Sequence, residues 1–473
     1  MIHSGEQEFD ARFDVLVIGA GGCGLVAALA AADAAPGIEI AVVEKLDRMQ
    51  GNSMLSSGSI PAAGTRFQRE AGVQDDAAAF IADLDRIAGA HDAPLLRERL
   101  AKVSAELVEW LVDRAGVALT LVKTYKHIGH SVHRLHSPPS RRGADLMNDL
   151  LRKVEEKDIP VAFGNPAVEL VVSPEGAVVG AVTTTPTGER TTIAAGAVIL
   201  CTNGFAADRA LLQQYCPEVV GAAYGGAAGS QGEAVRWGLE LGAALGNMTS
   251  YQGHASLADP HGSLVTWTVV EKGGIVVDAT GRRFGDESMG YSAFAAVEMA
   301  HGGPFYVIAD TRVRDVTASG QEEYAELVAH GGVSEAADAA TLAARWGMDP
   351  AVLADTLEAA AASASEGAPD AFGRTAWGLG ALRAPFTVTR IAPALFHTQG
   401  GLLVDGDARV LRPDGSVIPG LYAGGGATAG ISGNRGGQGY MSGNGLLGAL
   451  GLGYIAGRAA AGAVKADANA ATA

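Results

Sequence analysis

Residues 13–24 read FDVLVIGAGGCG, from Phe13 to Ile18 and then Gly19-Ala20-Gly21-Gly22-Cys23-Gly24. A short apolar run rich in β-branched residues that ends in glycines predicts a buried parallel strand. Leu25–Ala32 follows as a predicted helix, and Ile38–Val43 (IEIAVV) as a second buried strand ending at Glu44. This is a βαβ unit with the glycine spacing that holds a dinucleotide. Gly19 permits the tight turn, Gly21 lets the backbone approach a pyrophosphate, and Gly24 lets helix and strand pack closely. The helix N-terminus presents unpaired N–H groups to the anion. Glu44 stands twenty residues past Gly24, where a ribose hydroxyl is expected. Gly22, Cys23 and Lys45 complete the expected contacts of this turn; Cys23 reads as a small packing residue rather than a reactive thiol.

An acid at position 44 disfavours a 2′-phosphate and so NADP; NAD and FAD remain. The stretch Gly51-Asn52-Ser53-Met54-Leu55-Ser56-Ser57-Gly58 separates them. A nicotinamide enzyme usually continues here with a third strand, whereas small polar residues suit an extended FAD. Gly51, Asn52, Ser53, Ser57 and Gly58 are the expected contacts.

Composition sets the bounds around this start. The chain has 473 residues and 65 glycines, about 14 per cent and roughly twice the usual share. Hydrophobic residues at 48% and charged residues at 18% exclude a disordered chain. Lys and Arg number 35 against 52 Asp and Glu, a net charge of −17, which argues against a nucleic-acid partner. Cys23, Cys201 and Cys216 form no disulfide framework and no CxxC metal or haem motif, so no metal is expected and a reducing cytoplasm is the simplest setting. The start MIHSGEQEFDARFD shows no secretory signal, and apolar runs are broken by Gly or charge too soon for a membrane span.

Further along, residues 75–117 are predicted helical and Ala144–Lys157 an amphipathic helix. Val168–Val182 reads as a hairpin turning at Ser173-Pro174-Glu175-Gly176, with Val168 a candidate cofactor contact. Ala197–Cys201 is a third buried strand closed by Thr202-Asn203-Gly204. The texture changes near Tyr251. Helices are predicted at Ala336–Arg345 and Ala351–Ala362, a linker at Ser363–Pro369, and strands again from Phe386. These shifts divide the chain into 1–252, an inserted 253–385, and 386–473 returning to the first part. The Ala-rich last ten residues are expected to fray.

The motifs, in order, resemble those of the fumarate reductase and succinate dehydrogenase flavoprotein family, which includes the 3-ketosteroid dehydrogenases. Gly51–Thr65 is similar to its flavin-contacting loop, and Ala197–Phe205 (AVILCTNGF) to its second flavin strand. Gly246–Ser256 resembles the start of its capping domain, Arg282–Ser288 its RFVNE segment, Phe396–Leu402 its HTMGG segment, and Ile418–Gly425 its C-terminal flavin segment. The resemblance implies an α/β fold: a Rossmann-like FAD-binding domain with an inserted α+β capping (substrate) domain. It implies non-covalent FAD, since Gly51–Thr65 lacks the His that carries the flavin covalently in succinate dehydrogenases. It adds Thr202, Asn203, Gly204, His397, Gly424, Gly425, Gly443, Asn444 and Leu446 to the cofactor contacts. Gly426 replaces a Glu common in the family.

Subgroup features point away from a dicarboxylate. Tyr291 stands where the reductases place a proton-donating Arg, and Thr266-Trp267 where they have Thr-Glu. Gly439–Arg458 resembles the GYxSGxxLxxG pattern of 3-ketosteroid delta-4-dehydrogenases, whose Tyr and Ser match Tyr440 and Ser442. Desaturation beside a carbonyl needs an α-proton removed, a β-hydride passed to the flavin and donors for the developing enolate; a dicarboxylate needs Arg clamps. The expectation is a dehydrogenase acting on a cyclic or steroid-like ketone through Tyr440, Ser442 and Tyr291, with a separate electron acceptor. A fumarate- or urocanate-type ene-reductase using His254, His397 and Arg435 is the rival, and a flavin-binding protein without chemistry a third reading. His254, His397, Tyr291 and Tyr440 each also have a plain packing role open to them. His133, Arg134 and His136 stand where the family has a polar loop near the flavin, or in a structural loop.

Overall fold

The computed structural model describes residues 2–3, 8–124 and 126–472, with only the backbone of 2–3 and 471–472. The quoted polar start falls partly outside these residues. The chain divides into two compact units: Met1–Cys216, Gly226–Tyr251 and His397–Ala473 form the first, Pro217–Gly225 and Gln252–Phe396 the second.

The first unit opens with β1 (Ala11–Ile18), α1 (Gly22–Ala34) and β2 (Ile40–Val43). β1 and β2 pair in parallel, with Val15 beside Ile40 and Ile18 beside Val43. α1 is buried on nearly every side from Gly22 to Ala31, the expected state of a helix with no polar stripe. The helical stretch expected over 75–117 is two helices. α2 (Ala77–Ala88) starts at its Asp76 cap and stops at Gly89, whose φ of +61° ends it. α3 (Pro94–Asp113) begins afresh with a proline in its first turn. α4 spans Gly143–Glu156. β3 (Ala167–Val172) and β4 (Val178–Thr184) form the hairpin, and the Gly176 N–H closes its turn on the Ser173 carbonyl at 2.9 Å. β5 (Arg190–Leu200) lies antiparallel to β4 over its first half and parallel to β1 on its other edge.

β6 (Thr249–Ala258) carries the chain into the second unit. There β7 (Ile275–Asp278), α5 (Tyr291–His301) and β8 (Phe305–Asp310) follow. α6 spans Ala339–Trp346, not Ala336–Arg345: Ala336 ends a short strand, and Asp338 accepts the Thr341 N–H at 2.7 Å to cap the helix. α7 (Pro350–Glu366) runs through most of the expected linker and ends at Gly367 in the left-handed conformation. β9 (Phe386–Thr398) pairs antiparallel with β8 over Ile391 to Phe386 and with Ser334–Ala336, and parallel with Ala223–Tyr224. This pairing extends the second unit to Phe396, beyond residue 385, and adds Pro217–Gly225 to it. The RRFGDES segment is anchored here by buried charge. Arg283 donates to Glu287 at 2.8 and 2.5 Å and to Asp370 at 2.5 Å, and Arg374 reaches Glu287 at 3.3 Å.

Back in the first unit, β10 (Val417–Ala423) pairs in parallel with the end of β5, Val198 beside Leu421. The last helix, α8, runs Asn444–Thr472, so the tail expected to fray is helical up to the final described residue. By length and composition α8 could cross a membrane, contrary to the sequence expectation, but 61% of its apolar window is buried inside the protein. Its glycines allow this. A Cβ on Gly453 would lie 2.3 Å from the Cys23 carbonyl oxygen and one on Gly457 2.1 Å from that of Ala27, so α8 presses directly on α1 as a core helix.

Candidate functional site

The loops at the ends of β1, β2, β5 and β10 form a cradle in the first unit. Gly19 has φ +110°, and a Cβ there would meet the Cys201 carbonyl oxygen at 2.4 Å; a Cβ on Gly24 would meet the Gly19 oxygen at 1.8 Å. Gly21 differs, because nothing lies within 4 Å of a Cβ placed on it. It is the N-cap of α1 and gives no side-chain cap, which leaves first-turn N–H groups for a ligand. A Cβ placed on Gly51 would lie 3.7 Å from the Gly21 Cα, and one on Gly22 2.7 Å from the Ser53 hydroxyl. Glu44 closes the turn: its two carboxylate oxygens accept the N–H groups of Ala20 at 2.8 Å and Leu46 at 2.9 Å. Lys45 pairs with Glu233 at 2.5 Å. Cys23 is buried with its sulfur 3.3 Å from that of Cys201.

Among the buried polar atoms of this unit that have no partner within the protein are Asn52 Nδ2, Thr202 Oγ1 and Asn444 Oδ1. Buried polar atoms are normally satisfied. An uncapped helix start, an open glycine and orphaned amide and hydroxyl groups fit a phosphate-bearing, hydroxyl-rich cofactor. Around them, Asn203 at φ +65° donates to Ser230 at 2.9 Å, and Gly204 packs against Thr398. Ser57 meets Ser59 at 3.0 Å, and Gly58 stands at φ +68° against Pro138. Gly424 and Gly425 back onto Cys23, Gly443 (φ +86°) onto Pro61, and Leu446 is buried. Val168 stands 38% exposed on β3.

At the start of α8 a second cluster forms. His397 and Tyr440 meet edge to face, ring centroids 5.9 Å apart and planes at 67°. The Gly445 N–H, in the first turn of α8, donates to the Tyr440 phenol oxygen. Burial outweighs that bond and pushes the phenol up to about 12. Burial also pushes His397 down to about 4. Its Nδ1 lies 3.2 Å from the Thr398 carbonyl, which accepts, and 3.3 Å from the Gln399 side-chain amide nitrogen, which donates, so either ring tautomer finds a partner there. Ser442 is buried, and its carbonyl accepts the His130 Nε2–H at 2.8 Å.

His254 and Tyr291 belong to the second unit. His254 stacks on Tyr291 with centroids 4.6 Å apart and planes at 20°; Phe396 lies 5.6 Å and Trp267 6.4 Å away. The Ser256 N–H donates to His254 Nδ1 at 3.2 Å, so the ring proton is on Nε2. Burial alone pushes this imidazole down to about 3.

Three polar candidates have other settings. Arg435 is exposed, on a two-residue strand paired with Thr249 and Ser250. Arg134 of the HRLH run is buried in an ion cluster: it donates to Asp75 at 2.8 and 2.7 Å and to Asp83 at 2.7 Å, and lies over the Phe80 ring at 4.6 Å. His136 is buried against Thr65 at 2.9 Å. Sequence reasoning passed over His130 and Gly445, whose relevance appears only when distant segments meet. Among the described residues no group of His, Cys, Asp and Glu is arranged to hold a metal ion.

Comparison with known proteins agrees with the cradle. The FAD binding domain family matches residues 14–441. The chain is 31% identical over 460 residues to an NADH:fumarate oxidoreductase of Klebsiella pneumoniae (strain 342), covering 95% of this chain and 48% of that protein, so it spans about half the length of this relative. Its structure is similar to the open conformation of a flavocytochrome c3 fumarate reductase, with TM-score 0.80, 28% identity, and 96% and 79% of the two chains covered. It shares its fold with a 3-ketosteroid-delta4-(5alpha)-dehydrogenase of Rhodococcus jostii, at TM-score 0.75 and 22% identity over 96% and 98% of the chains. With the glycine turn, the orphaned polar groups and the matched span in agreement, the chain belongs to the FAD binding domain family of fumarate reductase-like, flavin-dependent oxidoreductases.

Proposed function

We propose that the chain is an FAD-dependent dehydrogenase that introduces a carbon–carbon double bond next to a carbonyl, with a neutral cyclic or steroid-like ketone as substrate. The observation that carries this reading is the setting of His254. A neutral imidazole, stacked on Tyr291 and flanked by Trp267 and Phe396, offers a hydrogen bond within an apolar aromatic cluster. Such a surface suits a flat, uncharged ring, whereas a dicarboxylate needs Arg clamps. Trp267 and Tyr291 stand where the reductase pattern has its Glu and Arg.

Gly19, Gly21, Gly22, Cys23 and Gly24 would hold the cofactor's pyrophosphate, and Glu44 a ribose hydroxyl. Asn52, Ser53, Thr202, Asn203 and Asn444 would satisfy the remaining oxygens, with Gly424, Gly425, Gly443 and Leu446 lining the path. Bound FAD supplies a hydride acceptor at N5. The protein's own residues manage the proton and the oxygen. Tyr440 stays protonated at neutral pH and receives the Gly445 N–H, so it serves as donor to the ketone oxygen rather than as base. His397 lies beside it with Nε2 turned to the same opening, and Ser442 supports the relay. The second unit serves as the capping, substrate-binding domain with His254 and Tyr291. Electrons leave to a separate acceptor, and the protein works in the cytoplasm.

The second reading, an ene-reductase acting on an unsaturated carboxylate, draws on the 31% identity to an NADH:fumarate oxidoreductase and on His254 and His397 standing where the reductases have substrate-binding histidines. An anaerobic screen that follows flavin bleaching by cyclic ketones, run beside oxidation of reduced viologen by fumarate-like acids, separates the two. Bleaching by a saturated cyclic ketone is expected; turnover in the viologen assay alone rejects the dehydrogenase.

A further inference from the structure

His130 sits between a buried ion cluster and the segment that carries Tyr440 and Ser442. On one side, Arg134 is locked by Asp75 (2.8 and 2.7 Å) and by Asp83 (2.7 Å). Asp83 is itself held by Arg86 and by the N–H and hydroxyl of Ser131, all at 2.7 Å. The same Arg134 Nη1 points at His130 Nδ1, 3.3 Å away. A guanidinium only donates, so Nδ1 must accept and the ring proton is fixed on Nε2. On the other side, that Nε2–H donates to the Ser442 carbonyl at 2.8 Å. The contact is reinforced twice. The Ser442 N–H reaches the Ile128 carbonyl at 3.4 Å, and Met441 fills the space beside Gly129 so closely that a Cβ there would lie 2.3 Å from it. His130 and Arg134 both pack on Phe80, and both are almost wholly buried.

The Ser442–Gly443 peptide is the joint between Tyr440 and α8. Gly443 stands at φ +86°, and the first turn of α8 just beyond it supplies the Gly445 N–H to the Tyr440 phenol. A peptide held at its carbonyl cannot rotate. One released from His130 can, and its rotation would move the Ser442 side chain and the donor to Tyr440 together.

We propose that His130 is a positioning residue: its Nε2–H clamps the Ser442–Gly443 peptide and so keeps Tyr440, Ser442 and the Gly445 N–H in register. The inference rests on the reading that Tyr440 and Ser442 carry the chemistry. Its direction of polarity, from carboxylates through Arg134 and His130 to a carbonyl, is set by donors and acceptors that cannot exchange roles.

The test compares FAD-loaded wild type with His130→Phe, which keeps a ring without the donor, and His130→Gln, whose amide can donate to Ser442 and accept from Arg134. Amide hydrogen exchange of residues 442–446 is read against that of α1. In His130→Phe the 442–446 amides are expected to exchange at least about tenfold faster with α1 unchanged, and in His130→Gln to stay near wild type. Turnover of a saturated 3-ketosteroid with an artificial electron acceptor should fall about tenfold in kcat with KM within about twofold in His130→Phe, and recover in His130→Gln. Unchanged exchange in His130→Phe overturns the clamp, as does equal loosening of α1. Tyr440→Phe is run in parallel. Full turnover there, with the 442–446 amides loosened in His130→Phe, overturns the reading of the reaction centre and leaves the clamp standing.

Discussion

Tyr440 and His397 converge on Gly445: a Cβ at that position would lie 3.1 Å from His397 Nε2 and 3.4 Å from the Tyr440 hydroxyl. Only a residue without a side chain lets the imidazole and the phenol share one opening at the start of α8. The first prediction uses this. Gly445→Ala should wedge the two groups apart and lower turnover by at least about tenfold, ~1.4 kcal/mol in barrier, with FAD still bound. Tyr440→Phe should lose a similar amount. Steady-state kinetics with flavin absorbance as the occupancy check decides it; wild-type rates in both variants would remove the pair from the mechanism.

A second prediction separates folding from cofactor binding within one turn. Gly24 is filled against the Gly19 carbonyl, whereas Gly21 faces open space. Gly24→Ala should therefore fail to fold or melt far lower. Gly21→Ala should fold with the melting temperature of the apo-protein nearly unchanged, yet bind FAD at least about tenfold more weakly, ~1.4 kcal/mol. Calorimetric titration of apo-protein with FAD measures this. An unaltered affinity would show that the open side of Gly21 does not face the cofactor.

These two cases mark what the sequence could reveal. The β1–α1–β2 start is legible because its constraints are local: a strand pattern, glycines at fixed spacing and an acid at the strand end all lie within about thirty residues. The Tyr440 and Ser442 positions stand out through a short contiguous motif. His130 does not, since its meaning depends on Ser442, which follows it by 312 positions. Arg134 is ambiguous for a similar reason: a charge in a run that matches a polar loop near the flavin shows its structural role only once Asp75 and Asp83 close around it. Likewise the glycines of α8 break the apolar run in sequence, while in space they are the surface that lets α8 lie on α1. The second unit's reach to Phe396 follows from β9 pairing with strands on both sides, which composition does not encode.

The third prediction concerns acid. His91, His130, His136 and His397 of the first unit are each pushed by burial from about 6.5 down to about 4. In the unfolded chain they take up protons below about pH 6.5, while the folded unit refuses them until about pH 4. Their contribution is therefore fully present above pH 6.5 and is lost as pH falls towards 4. Each histidine in mid-window removes about 1.4 kcal/mol per pH unit. Thermal unfolding between pH 7.5 and 4.5 should show a steep loss of stability over this range, shallower in His136→Asn. A flat profile would mean that these imidazoles are protonated in the folded protein.

The fourth prediction has the opposite sign and lies in the second unit. Glu298 on α5 is wholly buried, neither carboxyl oxygen has a hydrogen-bond partner, and burial raises its carboxyl well above the ordinary 4.5. The folded protein keeps this side chain protonated, whereas the unfolded chain ionises it above about pH 4.5. Its stability is present below pH 4.5 and is lost as pH rises towards the folded value. Glu298→Gln removes the titration and retains the size. The stability of the variant should gain on that of the parent as pH rises above about 4.5, by about 1.4 kcal/mol per pH unit while the folded carboxyl remains neutral. A gap that stays constant with pH would show that Glu298 is ionised in place and has found a partner.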